Sequence, residues 1–187
     1  MVQKDSRTLR DNFDRNLTDL RISLTDQCNF RCSYCMPKEI FGKDYHFLPK
    51  KELLSFEEIK LLSNAFVNLG VEKLRLTGGE PLLRKNIPEL IHDLKKFKTL
   101  KGKNVEVTLT TNGFLLQQFT SSLKKSGLDR VTISLDALDE NIFQEMIGGK
   151  YSPKIVLSGI DAAVNEGLSV KVNMVVKKGV NHNQIVP

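Results

Sequence analysis

Cysteine is scarce in this 187-residue chain, and its only three cysteines lie within eight residues, in CNFRCSYC at 28–35. An odd number does not suit a disulfide framework, and a closed tetrahedral zinc site needs a fourth ligand. The chain also lacks an apolar run near the roughly 20 residues that span a bilayer. Its polar start, MVQKDSRTLRDNFDRN, has no signal-peptide stretch. We therefore expect no membrane association and a cytoplasmic location, where clustered thiols stay reduced.

Aromatic residues make up only 7% of the chain, and no run of lysine or arginine is longer than three. Both features argue against a nucleic-acid partner, although the net charge is +6 and the pI is about 9.2. The excess of positive charge suits an anionic ligand. A hydrophobic content of 40% in 187 residues predicts one globular domain over residues 1–187.

Short β-rich runs alternate with longer segments of helical periodicity. Ser55 and Glu58 form a capping-box pattern before a helix that stops at Gly70, and Asp139 is a candidate cap for a helix that Gly148 closes. Strand–helix–strand repetition predicts parallel strands joined by crossover helices, in one curved or barrel-like α/β sheet. The five predicted strands are 20–24, 72–76, 105–109, 130–135 and 168–176.

All five predicted strands alternate apolar and polar residues, whereas a parallel sheet covered on both faces has nearly continuous apolar strands. One face of the sheet should therefore be polar. It is either a solvated face of a two-layer sheet or the polar lumen of a wide, incompletely packed barrel. In the second case Arg21, Arg75 and Lys171 would line a cationic cavity suited to a phosphate-bearing substrate.

The cysteines follow the first strand at its carboxyl end, where α/β barrels and open parallel sheets place their active sites. Their spacing, C-x₃-C-x₂-C, fits a loop around one compact cluster. Cys28, Cys32 and Cys35 can hold three irons of a 4Fe–4S cube and leave the fourth iron open. The alternatives are a zinc site completed by His46, His92 or His182, and buried, unreactive cysteines.

These residues carry a resemblance to the radical S-adenosylmethionine (SAM) enzymes, with an aromatic residue, Tyr34, just before the third cysteine and TGGEP at 77–81 after the second strand. The resemblance implies that the open iron chelates the amino and carboxylate groups of SAM. A one-electron reductant would then cleave SAM to methionine and a 5′-deoxyadenosyl radical. It also implies that Tyr34, Gly79 and Ser134 contact SAM.

Longer segments resemble the GTP 3′,8-cyclase family of molybdenum cofactor biosynthesis. They are LRISLTDQCNFRCSYCMPKEIFG, FLPKKELLSFEEI, RLTGGEPLLR, TLTTNG, ISLDALD and VKVNMVVKKGVN. The resemblance implies a lyase whose radical removes the ribose 3′ hydrogen of GTP before C8 is attacked, with Arg21, Arg75, Thr110 and Lys171 contacting GTP. It implies a partial TIM-type barrel with outer helices and a polar lumen. It also implies a downstream cyclic pyranopterin monophosphate synthase and a possible homodimer.

The chain differs from that family at several positions, and two other functions are still open. Asp14 stands where the family has the glycine of an F-G-R segment, and the family's sixth strand and second cysteine triplet have no counterpart before Pro187. The sequence is thus expected to be an incomplete piece that loads one cluster at most and does not turn over GTP. The alternatives are a radical SAM enzyme acting on a peptide or small molecule, and a non-catalytic metal-binding or RNA-binding domain.

Overall fold

The computed structural model describes residues 8–185. Its centre is a five-stranded, all-parallel sheet whose strands lie side by side in chain order, and the sheet does not close into a barrel. The predicted α/β architecture is confirmed. The strands are β1 (Asp19–Ser23), β2 (Lys73–Thr77), β3 (Glu106–Thr111), β4 (Arg130–Ser134) and β5 (Ser169–Asn173).

Five helices connect these strands. Because consecutive parallel strands are neighbours and such crossovers are right-handed, the helices collect on one face of the sheet. They are α1 (Phe56–Asn68), α2 (Ile87–Leu94), α3 (Leu116–Lys125), α4 (Glu140–Ile147) and α5 (Lys154–Asn165). Three 3₁₀ turns accompany them, at Lys50–Glu52, Pro81–Leu83 and His182–Gln184.

The hydrophobic core lies between this helical layer and the apolar face of the sheet. Side chains from the three central strands, among them Leu76, Leu109 and Val131, have no exposed surface, and they pack with buried helix residues such as Ile91 and Leu116. Burial of such apolar surface is the main stabilising term, at about 25 cal/mol per Å². The alternation read from the sequence therefore assigns the two faces of the sheet correctly.

The predicted caps of two helices are present. Ser55 Oγ accepts the N–H of Glu58 at 3.1 Å, and Glu58 Oε2 accepts the N–H of Ser55 at 2.7 Å, which completes a capping box. Asp139 Oδ1 accepts the N–H of Ile142 at 3.0 Å at the start of α4. In both cases the side chain satisfies backbone donors that a helix leaves without partners in its first turn.

Replacing Ser55 with Ala is expected to lower the free energy of unfolding by about 1 kcal/mol, because the N–H of Glu58 in the first turn of α1 loses its acceptor. Chemical denaturation monitored by circular dichroism measures this difference. Ser121→Ala is the matched control, since Ser121 lies within α3 and caps no helix. An equal loss of stability in both variants would contradict the capping role.

The fifth strand is shorter than the predicted 168–176, and the reason is local. The N–H of Val175 donates to Asp136 Oδ1 at 2.8 Å, and the carbonyl of Val175 accepts from Asn181 Nδ2 at 2.8 Å. Side chains thus take the backbone groups that a longer strand would offer to β4. In the described chain, β5 and β1 form the two edges of the sheet.

Asp14 occupies a turn that favours glycine. Its φ is +59°, in the left-handed region that aspartate tolerates better than most residues with a side chain. The salt bridge from Arg10 Nη1 to Asp14 Oδ1, at 2.7 Å, holds the side chain on the surface. This conformation explains why aspartate can stand where the family that the sequence resembles has glycine.

In residues 8–185, no helix is long and apolar enough to cross a membrane.

Candidate active site

The three cysteines lie in the loop that follows β1, at the carboxyl edge of the sheet. Cys28 and Cys32 are partly buried against the core, and Cys35 is exposed. The carbonyl of Cys32 accepts the N–H groups of Cys35 at 3.0 Å and Met36 at 2.9 Å, so the second half of the loop is a tight turn. This turn brings the last two cysteines of the trio together on one side of the loop.

Arg31 holds the first half of the same loop from within. Its Nη1 donates to the carbonyls of Cys28 at 2.7 Å and Phe30 at 2.8 Å, and its Nε donates to the carbonyl of Phe41 at 2.8 Å. Its own N–H donates to the carbonyl of Ile147 at the end of α4 at 2.9 Å. The loop is therefore fixed both to the following segment and to the helical layer.

Gly148 makes this last contact possible. It ends α4 with a φ of +59°, and a Cβ placed on it would lie 2.2 Å from the carbonyl oxygen of Arg31. Only a residue without a side chain fits there. The sequence predicts Gly148 as a helix stop but does not reveal that it also seats the cysteine loop.

Burial dominates the acid–base properties of the thiols. It raises the pKa of Cys32 to about 12, with smaller contributions from the nearby Cys28 and Asp136 charges. Burial also raises the pKa of Cys28, while the N–H of Phe30, which lies 3.4 Å from Cys28 Sγ, acts in the opposite direction. Without a bound metal both thiols are therefore protonated at neutral pH, and metal binding must displace these protons.

The TGGEP segment at 77–81 follows β2 and lies against the approach to the cysteine loop. The N–H of Gly79 donates to the carbonyl of Thr25 at 2.7 Å, and the N–H of Glu80 donates to the carbonyl of Gln27 at 2.8 Å. A Cβ on Gly79 would lie 2.1 Å from the carbonyl oxygen of Gln27. Glycine is therefore required here for a close approach of two backbones, in addition to any ligand contact.

Glu80 is fully buried, and its carboxylate joins this segment to the end of β3. Oε1 accepts from the hydroxyl of Thr111 at 2.8 Å and from the N–H of Leu82 at 2.9 Å, and Oε2 accepts from the N–H of Asn112 at 2.8 Å. Burial raises the pKa of Glu80, whereas these three hydrogen bonds favour the charged form. The sequence gives no indication of this role, because Thr111 and Asn112 lie 31 and 32 residues away from Glu80 in the chain.

Tyr34 and Ser134 belong to the β4 side of the site. The hydroxyl of Tyr34 donates to Asp136 Oδ2 at 2.7 Å, and burial together with this hydrogen bond raises the pKa of Tyr34. Ser134 is the last residue of β4 and pairs with Asn173 of β5. The buried Asp136, which the sequence reading did not select, thus ties the cysteine loop to the ends of both strands.

The four residues predicted to contact GTP lie on the polar face of the sheet, in two rows. Arg21 of β1 pairs with Arg75 of β2. One row nearer the carboxyl edge, Thr132 of β4 pairs with both Thr110 of β3 and Lys171 of β5. The structure thus brings these side chains to one face, as the alternation predicts.

Charges on this face are distributed unevenly. Near its amino edge, Lys73 lies 3.6 Å from Asp19 and 3.3 Å from Glu106. Arg75 lies 3.3 Å from Asp19 in a pair about half exposed. Within residues 8–185, the side chain of Arg21 hydrogen-bonds only to the hydroxyl of Thr77, at 3.5 Å. The exposed side chain of Lys171 makes no ion pair or hydrogen bond with the rest of residues 8–185. Positive charge is thus left uncompensated toward the carboxyl edge.

The fold is that of a partial α/β barrel: an open parallel sheet with outer helices and a polar inner face. The thiol-rich loop after its first strand is suited to an iron–sulfur cluster. A model of the radical SAM superfamily matches residues 22–187, and the chain belongs to that superfamily. Members of it use a 4Fe–4S cluster and SAM.

Relatives of known name agree with this family. Proteins called GTP 3′,8-cyclase from Staphylococcus epidermidis and Staphylococcus haemolyticus are 50% and 49% identical to this chain over 179 residues. These matches cover 96% of this chain but only 52% of each relative, so the chain spans about half their length.

Solved structures show the same fold at lower identity. Streptococcus suis SuiB bound to S-adenosylmethionine superposes with a TM-score of 0.71 at 21% identity, covering 90% of this chain and 36% of that protein. The anSMEcpe structure with bound AdoMet and a peptide gives 0.66 at 18% identity over 89% of this chain and 47% of that one.

The residues present fit a 4Fe–4S cluster. Three thiols share one loop, the sulfur of Cys28 already accepts N–H groups, and the buried Nδ2 of the adjacent Asn29 has no hydrogen-bond partner. Among residues 8–185, no three His, Cys, Asp or Glu side chains converge on one metal ion. A cube does not need such convergence, because each cysteine binds a different iron. The zinc alternative with His46, His92 or His182 has no such ligand group in this part of the chain.

Proposed function

We propose that this chain is the SAM-binding and triphosphate-binding part of a GTP 3′,8-cyclase. The relatives of that name match it along 96% of its length. The structural observation that carries the proposal is the uncompensated positive charge near the carboxyl edge of the polar face, on the same edge as the cysteine loop. A triphosphate needs such cationic donors, and charge-assisted hydrogen bonds to its oxygens are the strong ones.

In this proposal Cys28, Cys32 and Cys35 hold the cluster. When bound, the cluster and SAM supply one-electron chemistry that generates a carbon radical, and a one-electron reductant must serve the cluster. Tyr34, Gly79 and Ser134 contact SAM, and the hydrogen bond from Tyr34 to Asp136 keeps the tyrosine ring in one orientation.

Arg21, Arg75, Thr110 and Lys171 orient GTP in the same proposal. These side chains form two rows that are two residues apart along the strands. Together they give a polar surface long enough to contact several phosphate oxygens. The proposal also includes a cytoplasmic homodimer whose product is taken up by a cyclic pyranopterin monophosphate synthase.

Replacing Lys171 with Ala is expected to weaken GTP binding by roughly 10–150-fold, because one charge-assisted phosphate contact contributes on the order of 1.5–3 kcal/mol. Arg75→Ala should have a smaller effect, since the Arg75 guanidinium already forms an ion pair with Asp19. Isothermal titration of GTP into the protein with its cluster loaded measures both affinities.

Lys125→Ala is the matched control, because Lys125 lies in the last turn of α3 on the helical side of the sheet. Iron content must stay at the wild-type value in all three variants. Unchanged GTP affinity in both the Lys171 and Arg75 variants would show that the polar face is not the triphosphate site. An equal loss in the Lys125 variant would show only nonspecific charge attraction.

A further inference from the structure

Two asparagine side chains meet beside the first cysteine of the loop. Asn112, which follows β3, donates from Nδ2 to Asn29 Oδ1 at 2.8 Å and approaches Cys28 Sγ at 3.8 Å. The backbone N–H of Phe30 approaches the same sulfur at 3.4 Å. No side-chain amide contacts the sulfur of Cys32 or Cys35 in the described part of the chain. The Cys28 corner of the site is therefore distinct from the other two.

The orientation of Asn112 is fixed on all sides. Its Oδ1 accepts the N–H of Phe114 at 3.0 Å, so its Nδ2 must point toward Cys28 and Asn29. Its backbone N–H is held by Glu80 Oε2 at 2.8 Å. The fully buried carboxylate of Glu80 thus sets the position of a donor that faces the cluster loop.

Asn29 contributes a second, unused donor. Its Oδ1 is occupied by Asn112, whereas its Nδ2 is buried and makes no hydrogen bond within residues 8–185. A buried amide N–H without a partner costs about 1–3 kcal/mol, so folded proteins rarely retain one unless a bound group satisfies it. The residue beside it, Cys28, is a ligand of just such a group.

We propose that the Asn29–Asn112 amide pair sets the reduction potential of the cluster through its Cys28 corner, with Asn112 donating to the cysteine sulfur and Asn29 Nδ2 to the bound cluster. Hydrogen bonds to the sulfurs withdraw electron density and stabilise the reduced, more negative cluster, which raises its potential. The inference rests on the iron–sulfur chemistry of the superfamily and does not require that GTP be the substrate.

The test is a potentiometric titration of the anaerobically reconstituted 187-residue chain, followed by electron paramagnetic resonance of the reduced cluster. In Asn112→Ala the ratio of reduced to oxidised cluster at the wild-type midpoint should fall about tenfold, which is about 59 mV for a one-electron couple. Asn29→Ala should shift the potential in the same direction. In protein labelled with ¹⁵N-asparagine, nitrogen couplings to the reduced cluster should be present in wild type and weaker in each variant.

Thr111→Val is the control for a purely structural effect. It removes the hydroxyl that donates to Glu80 and accepts the N–H of Gly113, so it loosens the same turn but keeps both amides. It should lower the melting temperature and leave the potential unchanged. The inference is overturned if both asparagine variants keep the wild-type potential and nitrogen couplings, or if Thr111→Val shifts the potential equally. Asn29→Ala keeps the test decisive if Asn112→Ala does not fold, because the Asn29 side chain makes a single hydrogen bond within residues 8–185, the one to Asn112.

Discussion

A Cys32→Ala variant is expected to lose the cluster completely while keeping its fold. Cys32 is the middle ligand of the trio, and a cube held by only two thiolates has two unprotected irons that solvent and chelators can remove. The fold should persist because Cys32 contributes only a small, partly buried side chain at the edge of the core. Iron and sulfide analysis after anaerobic reconstitution, with absorption near 400 nm, measures the loss.

Ser33→Ala is the matched control for this experiment. Ser33 is the next residue in the loop, its side chain is exposed, and its backbone N–H donates to the carbonyl of Met146 at 3.2 Å, a bond that alanine keeps. The control should bind as much iron as the wild type. A Cys32→Ala protein that still binds about four irons per chain would refute the assignment of the trio as cluster ligands.

The periodicity of the sequence was sufficient to predict the sheet, because the two faces of the sheet differ strongly in polarity. In β2, Leu74 and Leu76 are buried, while Arg75 between them is exposed, and period-two alternation records this difference directly. The end of β5 could not be predicted in the same way. Its length depends on Asp136 and Asn181, which take the backbone groups of Val175, and such long-range competition leaves no periodic signal.

For a similar reason, some residues of the candidate site can be predicted from the sequence and others cannot. Spacing alone is enough to predict the three cysteines as cluster ligands, because a cluster needs its ligands close together in one loop. The alternation places Arg21 and Lys171 on one face. By contrast, Glu80 is joined to Thr111 and Asn112, and Asn112 to Cys28, by hydrogen bonds between residues 31 to 84 positions apart. Only the three-dimensional arrangement reveals these contacts, and TGGEP and TLTTNG are otherwise ordinary turn sequences.

Replacing Gly79 with Ala is expected to disrupt the site most severely after loss of a cysteine. The added Cβ would lie 2.1 Å from the carbonyl oxygen and 2.5 Å from the carbonyl carbon of Gln27, and neither atom belongs to a flexible side chain. Relief requires the two backbones to separate, which breaks the hydrogen bonds from Gly79 to Thr25 and from Glu80 to Gln27. Such overpacking costs about 1–3 kcal/mol.

The melting temperature of Gly79→Ala should therefore fall by about 2–12 °C, given about 2–4 °C per kcal/mol for a chain of this size. If Gly79 also contacts SAM, as we propose, SAM affinity should fall on the order of 100-fold, because misplacement by about 1 Å can have effects of that size. Gly149→Ala is the control, since its new Cβ would meet Tyr151 at an ordinary 3.4 Å. A Gly79→Ala protein with reduced stability but normal SAM affinity would show that this glycine serves only the contact between the two loops. Wild-type values for both quantities would contradict the close approach itself.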